Sequence, residues 1–182
     1  MLIRIFVFVV ILGASVLASS DGPKRLEVMS SVDFSRYTGK WYEIARLPNR
    51  FQNKCAGDVA AVYSLLEDGQ LKVVNECRQN NSRTERVEGK ARLADKSGSN
   101  SKLEVRFAPA WLSWLPAVWG DYWIIDLAPD YSFSVVGTPD RKYLWILSRT
   151  PHMDEAIYRR IIEQTAAKGF DVARLVKTRQ SD

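Results

Sequence analysis

The sequence predicts an all-β fold: an eight-stranded antiparallel up-and-down β-barrel with one C-terminal α-helix packed outside. Apolar and polar residues alternate with a period of two in short runs from residue 39 to residue 148. The links between most runs are of hairpin length, with no helical pattern among them, so a meander is expected. The period then changes to three and four for a single segment. Eight strands of this kind can close into a barrel that leaves no free edge and has room for one small ligand.

The first strand is Gly39-Lys40-Trp41-Tyr42-Glu43-Ile44-Ala45-Arg46, preceded by a polar helical turn at 33–36. Gly39 lets the chain bend into the strand. Strict alternation puts Trp41, Glu43 and Ala45 on one face and Tyr42, Ile44 and Arg46 on the other. Strands at 58–66 and 71–78 are joined by a turn containing Asp68-Gly69, a hairpin signal. The strand at 86–93 sets Arg86, Glu88, Lys90 and Arg92 against Val87, Gly89, Ala91 and Leu93. The strand at 102–107 sets Lys102, Glu104 and Arg106 against Leu103, Val105 and Phe107. Strands at 121–127, 133–137 and 143–148 complete the eight. Met153, Ile157, Ile161, Ile162, Thr165 and Ala166 then form the apolar face of a helix. Pro151, Asp154 and Glu155 mark its start and Gly169 its stop. Residues 170–177 supply a short final strand.

The chain has 182 residues and a formal net charge of +5. The length predicts one domain. Residues 1–18 read as a secretory signal peptide, with Arg4 before the apolar run 5–12 and small or apolar residues before a cut after Ala18. The run is too short for a membrane span. The expected mature chain is therefore one domain, 19–182, exported to the periplasm or secreted. No cysteine lies near the cut, so no lipid-modified amino terminus is expected. Basic and acidic residues are interspersed, which describes a solvated surface and excludes a nucleic-acid footprint.

Cys55 and Cys77 fall in the exported part, at the ends of two strands joined by one tight turn. An oxidising compartment and a hairpin geometry favour a disulfide. A free thiol at Cys55 is the alternative.

Three blocks carry a family resemblance: Gly39-Lys40-Trp41-Tyr42-Glu43, Pro129-Asp130-Tyr131 and Leu147-Ser148-Arg149. The chain resembles the lipocalin family over nearly all of its mature length. The wording Trp-Tyr-Glu-Ile-Ala-Arg and Tyr-Leu-Trp-Ile-Leu-Ser-Arg-Thr-Pro is similar to the bacterial lipocalins of the outer-membrane lipoprotein type. Turns in an up-and-down barrel alternate between its ends, so Gly39, Trp41, Asp130, Tyr131 and Arg149 should converge at one closed end. Arg149 is expected over Trp41 in a cation–π contact. Glu43 is expected to point into that end and pair with Arg149 or a neighbouring base residue.

The charged faces of 86–93 and 102–107 must point outward, so Val87, Gly89, Ala91, Val105 and Phe107 point in. Carrying the parity around the barrel adds Ala61, Tyr63, Val73 and Asn75, then Tyr122, Ile124 and Val135, then Tyr143 and Trp145. Small residues at 89 and 91 are expected to leave volume. Such a lining, apolar with tyrosine hydroxyls and one amide, suits a fatty acid or lysophospholipid. The segment 108–119 joins two strands at the open end and carries Trp111, Trp114 and Trp119 with two prolines and no charge. It is expected to act as a lid, a membrane contact or a dimer contact, the chain being a monomer or a homodimer.

One histidine, His152, and two cysteines do not build a zinc site. No nucleophile elbow, Walker loop or dinucleotide fingerprint is present. No cofactor, metal or catalytic residue is expected. A carrier of a small hydrophobic ligand is the first reading. A thiol enzyme using Cys55 and a docking protein acting through the tryptophan loop are the others.

Overall fold

The computed structural model describes residues 25–95 and 98–181; the signal peptide expected at 1–18 lies outside them. A short helix, α1 (Phe34–Tyr37), leads into eight strands: β1 (Gly39–Arg46), β2 (Cys55–Leu65), β3 (Leu71–Gln79), β4 (Thr84–Leu93), β5 (Lys102–Arg106), β6 (Gly120–Leu127), β7 (Phe133–Gly137) and β8 (Leu144–Ser148). Each pairs antiparallel with its sequence neighbour, and β8 and β2 both pair with β1, which closes the barrel. Helix α2 (Glu155–Ala167) follows, and a two-residue strand β9 (Val176–Lys177) pairs with β1.

The alternating pattern builds two apolar layers. Inside the barrel, Trp41, Ala61, Tyr63, Leu71, Val73, Leu103, Ile124 and Val136 form one buried cluster. Outside, Ile44, Ala45, Ile125, Val135, Leu144 and Ile146 meet Ile161 and Phe170 in a second cluster beneath α2. Asp154 starts α2, its carboxylate accepting from the Ala156 and Ile157 amides at 2.9 and 3.0 Å. The polar outer faces carry cross-strand ion pairs, among them Lys72–Glu88 at 2.8 Å and Arg92–Glu104 at 3.0 Å.

Strict alternation fails at two bulges. In β1 the register shifts between Glu43 and Ala45. Ala45 therefore turns outward, opposite Ile146, and Arg46 turns inward, opposite Trp145. In β6 a shift between Ile124 and Asp126 sets Ile124 opposite Val136 and Asp126 opposite Val135. Val136 then faces in, and Val135, expected in the lining, packs in the outer layer under α2.

Beyond Tyr42, β1 and β2 no longer pair, and the C-terminal residues fill the seam between them. The Thr178 amide donates to Ile44 O at 2.9 Å and the Asp58 amide to Arg179 O at 2.8 Å. Gln180 Nε2 donates to Glu43 O and Val59 O, both at 2.8 Å.

Candidate functional site

The predicted closed end is assembled from the three sequence blocks. The Arg149 guanidinium lies 3.8 Å from the Trp41 ring centroid. It also donates from Nη2 to Arg36 O at 2.6 Å and from Nη1 to Lys40 O at 3.0 Å. Gly39 sits at φ +95°, where a side chain would be strained, and a Cβ there would come within 3.2 Å of Arg149 Nη1. Trp41 Nε1 donates to Tyr37 O at 2.8 Å. The Tyr131 hydroxyl accepts from the Asp33 amide at 2.9 Å, and Asp130 Oδ1 accepts from the Ser132 amide at 3.0 Å, which shapes the β6–β7 turn. Helix α1 is thereby fastened across the base.

Above that base lies a hydroxyl floor. Tyr122 OH is 3.0 Å from Tyr37 OH and 2.8 Å from Tyr63 OH, and Tyr37 OH is 3.1 Å from Ser134 Oγ. Burial pushes all three tyrosines above their ordinary pKa, so they remain neutral hydroxyls. Sequence reasoning missed Tyr37 and Ser134; the helical turn and the β6 bulge hide their orientation.

Accessibility of the inward positions rises from this floor to the opposite end. Ala61, Tyr63, Val73, Ala91, Tyr122 and Ile124 are buried. Val105, Tyr143 and Trp145 are half-buried, and Asn75 is exposed. Val87 and Phe107 face inward yet are 40% and 38% exposed. The lumen therefore opens between the β1–β2, β3–β4, β5–β6 and β7–β8 loops. Contrary to the expectation from its size, Gly89 does not provide spare volume. A Cβ there would lie 2.6 Å from Arg106 O and 2.7 Å from the Phe107 ring, so the glycine makes room for that ring.

Glu43 does not join the closed end. It is buried partway up the wall, where its carboxylate accepts from Gln52 Nε2 at 2.6 Å and Thr178 Oγ1 at 2.5 Å. Arg46 Nε lies 3.4 Å away. Burial pushes the Glu43 carboxyl up, against the opposing pull of Gln52, Thr178 and Arg46. Gln52 Oε1 in turn accepts from Trp145 Nε1 at 3.0 Å. Gln52 comes from a loop and Thr178 from the tail, so no periodicity pointed to either.

Cys55 and Cys77 are joined by a disulfide at the open end. Cys55 therefore has no thiolate to act as a nucleophile. Among the described residues there is no cluster of His, Cys, Asp and Glu that could hold a metal ion. In the β5–β6 loop, Trp119 lies on the outer wall beneath Arg92, whose guanidinium is 3.8 Å from the ring centroid. Trp111 and Trp114 are 74% and 75% exposed. They project into solvent.

The Lipocalin-like domain model matches residues 32–180. The chain is a lipocalin. It is 44% identical over 160 residues to temperature-induced lipocalin-1 of Arabidopsis thaliana, covering 87% of this chain and 85% of that one. It is 33% identical over 164 residues to the outer membrane lipoprotein Blc of Escherichia coli, covering 90% and 88%. Apolipoprotein D of Rattus norvegicus is 30% identical over 163 residues, covering 85% and 80%. Insecticyanin from the tobacco hornworm shares the fold, with a TM-score of 0.64 at 21% identity over 86% of this chain and 85% of that chain. Lipocalins are in general binding and transport proteins for small hydrophobic ligands.

Proposed function

We propose that this lipocalin is an exported carrier that binds a single-chain lipid, a fatty acid or lysophospholipid, in the barrel lumen and serves membrane lipid maintenance. The observation that carries the reading is the gradient along the inward wall. It runs from sealed aromatic floor to accessible apolar side chains at the mouth. An acyl chain entering there gains roughly 0.8 kcal/mol per buried methylene. Two relatives, an outer membrane lipoprotein and an apolipoprotein, are lipid-associated by name. The bridged Cys55 favours carriage over thiol chemistry. Native mass spectrometry of detergent-free protein, followed by solvent extraction, tests the proposal. A co-purified acyl lipid supports it. A protein that is empty and whose tryptophan fluorescence ignores added acyl lipids refutes it.

The tryptophan loop adds a docking role. Trp111, Trp114 and Phe51, the last 64% exposed, all project from the open end, and indole rings settle at bilayer interfaces. Docking there would bring the mouth to the lipid surface. Trp111→Ser with Trp114→Ser should abolish sedimentation with liposomes while leaving acyl-lipid binding in solution intact. Unchanged sedimentation removes this role.

A further inference from the structure

We infer that Arg46 is the head-group site of the lumen and selects single-chain amphiphiles with an anionic head, a carboxylate or a phosphate. The inference rests on the lipid-carrier reading above and adds a ligand charge to it.

Arg46 ends β1 at the mouth side. The bulge in β1 turns it inward, directly opposite Trp145, whose ring packs against the inner cluster. Without the bulge the guanidinium would lie on the outer surface. Its side chain is only 15% exposed. It is nevertheless poorly matched within the protein. Arg46 Nε is buried and has no hydrogen-bond partner. The nearest carboxylate oxygen, Glu43 Oε1, is 3.4 Å away. Glu43 is already engaged, one oxygen accepting from Gln52 and the other from Thr178.

A guanidinium is a rigid fork of five donors and no acceptor, matched to carboxylate and phosphate. Leaving its Nε without a hydrogen bond in a wall this enclosed is costly unless an anion completes it. The surroundings are held in place for such a partner. Gln52 is fixed between Asn49, Glu43 and Trp145, and the tail closes the seam behind Glu43. Val73 belongs to, and Val105 packs against, the inner apolar cluster that includes Tyr63 and Tyr122, so the barrel interior below the mouth is apolar. Apart from the Glu43 carboxylate, already engaged by Gln52 and Thr178, the other inward positions singled out from the sequence are apolar, aromatic or amide, so Arg46 supplies the positive charge on this wall. An amphiphile would bind head-up, its anion at Arg46 and its chain toward the floor.

The test titrates the delipidated protein with palmitate, its uncharged methyl ester and palmitoyl lysophosphatidate, read by tryptophan fluorescence. Wild type should bind the two anions about tenfold or more tighter than the ester, the scale of charge-assisted hydrogen bonds. Arg46→Met should lose that preference with ester binding unchanged, and Arg46→Lys should keep part of it. If only one anion responds to the substitution, that head group is the one Arg46 receives. Equal binding of acid and ester by wild type, or a preference that survives Arg46→Met, overturns the assignment. The wild-type comparison needs no variant, so a misfolded Arg46→Met does not rescue the idea. Failure of all three ligands to bind refutes the carrier reading itself.

Discussion

Removing Arg149 tests whether the closed end is held by one side chain. Arg149→Met keeps the aliphatic length and deletes the charge and its donors. The lost interactions are the contact over Trp41 at 3.8 Å, the hydrogen bonds to Arg36 O and Lys40 O at 2.6 and 3.0 Å, and a longer one from Nε to Tyr131 O at 3.4 Å. The cation–π contact contributes roughly 0.5–2 kcal/mol. Each hydrogen bond from a charged donor contributes about 1.5–3 kcal/mol when buried, and less here because Arg149 is half-exposed. A total loss of about 2–4 kcal/mol is expected. Urea denaturation followed by tryptophan fluorescence measures it, with an unchanged m-value confirming that the native fold is kept. Arg149→Lys should recover part of the loss, because an ammonium can sit over the ring but cannot reach all three carbonyls. Ligand affinity should not move, since Arg149 lies below the tyrosine floor. A loss under about 0.5 kcal/mol would show that the three converging blocks do not depend on this arginine.

Glu43 should make stability pH-dependent. Its folded-state pKa lies above the unfolded value, so the native state binds the proton more tightly and stability falls as pH rises from the ordinary carboxylate range through the raised pKa. Glu43→Gln should remove that fall, so a wild-type profile parallel to the variant's would refute it. Reducing the Cys55–Cys77 bridge, whose partners are 22 residues apart, should cost about 3 kcal/mol by urea titration with and without reductant, and the unreduced protein should show no reactive thiol. Val87→Trp should weaken acyl-lipid binding about tenfold or more with little loss of stability, because Val87 faces inward at the exposed end of the barrel. Gly89→Ala should instead destabilise by about 1–3 kcal/mol, since the added Cβ meets Arg106 O and the Phe107 ring; equal effects of the two substitutions on binding and stability would contradict the lumen geometry.

Strands β2 to β5 were legible because one face of each meets water. The expected strand limits lie close to those observed, and 133–137 matches to the residue although every residue of β7 is buried. Arg149 over Trp41 was legible because the family resemblance singled out both residues and turn parity puts their strand ends at the same end of the barrel. What alternation cannot register is a bulge. One extra residue in β1 sends Arg46 inward and Ala45 outward, and one in β6 inverts the placement of Val135. Both bulges lie among residues whose burial suits either side of the wall. Gly89 misled for a different reason, because a small residue marks a cavity only if no neighbour fills it. The tail was legible only as a short strand, since Thr178 and Gln180 act through single polar contacts that leave no periodic trace.

That tail makes the upper wall separable from the base. Strands β1 and β2 pair through Gly39–Tyr42, and above that level residues 178–181 stand in for the missing ladder. Deleting 178–182 strips the partners from the Ile44, Glu43 and Val59 carbonyls and admits water to the Glu43 carboxylate. At about 1 kcal/mol per lost bond the cost is roughly 3–5 kcal/mol. Its location distinguishes the seam from a general weakening: amide exchange should rise in 43–46 and 57–60, while the amides around Trp41, Tyr131 and Arg149 keep their protection. The Glu43 pKa should fall toward an ordinary carboxylate as its burial is relieved, and bound lipid should dissociate faster because the wall beside Arg46 is breached. Exchange that rises equally at both ends would mean the barrel behaves as one cooperative unit and that the tail closes nothing in particular.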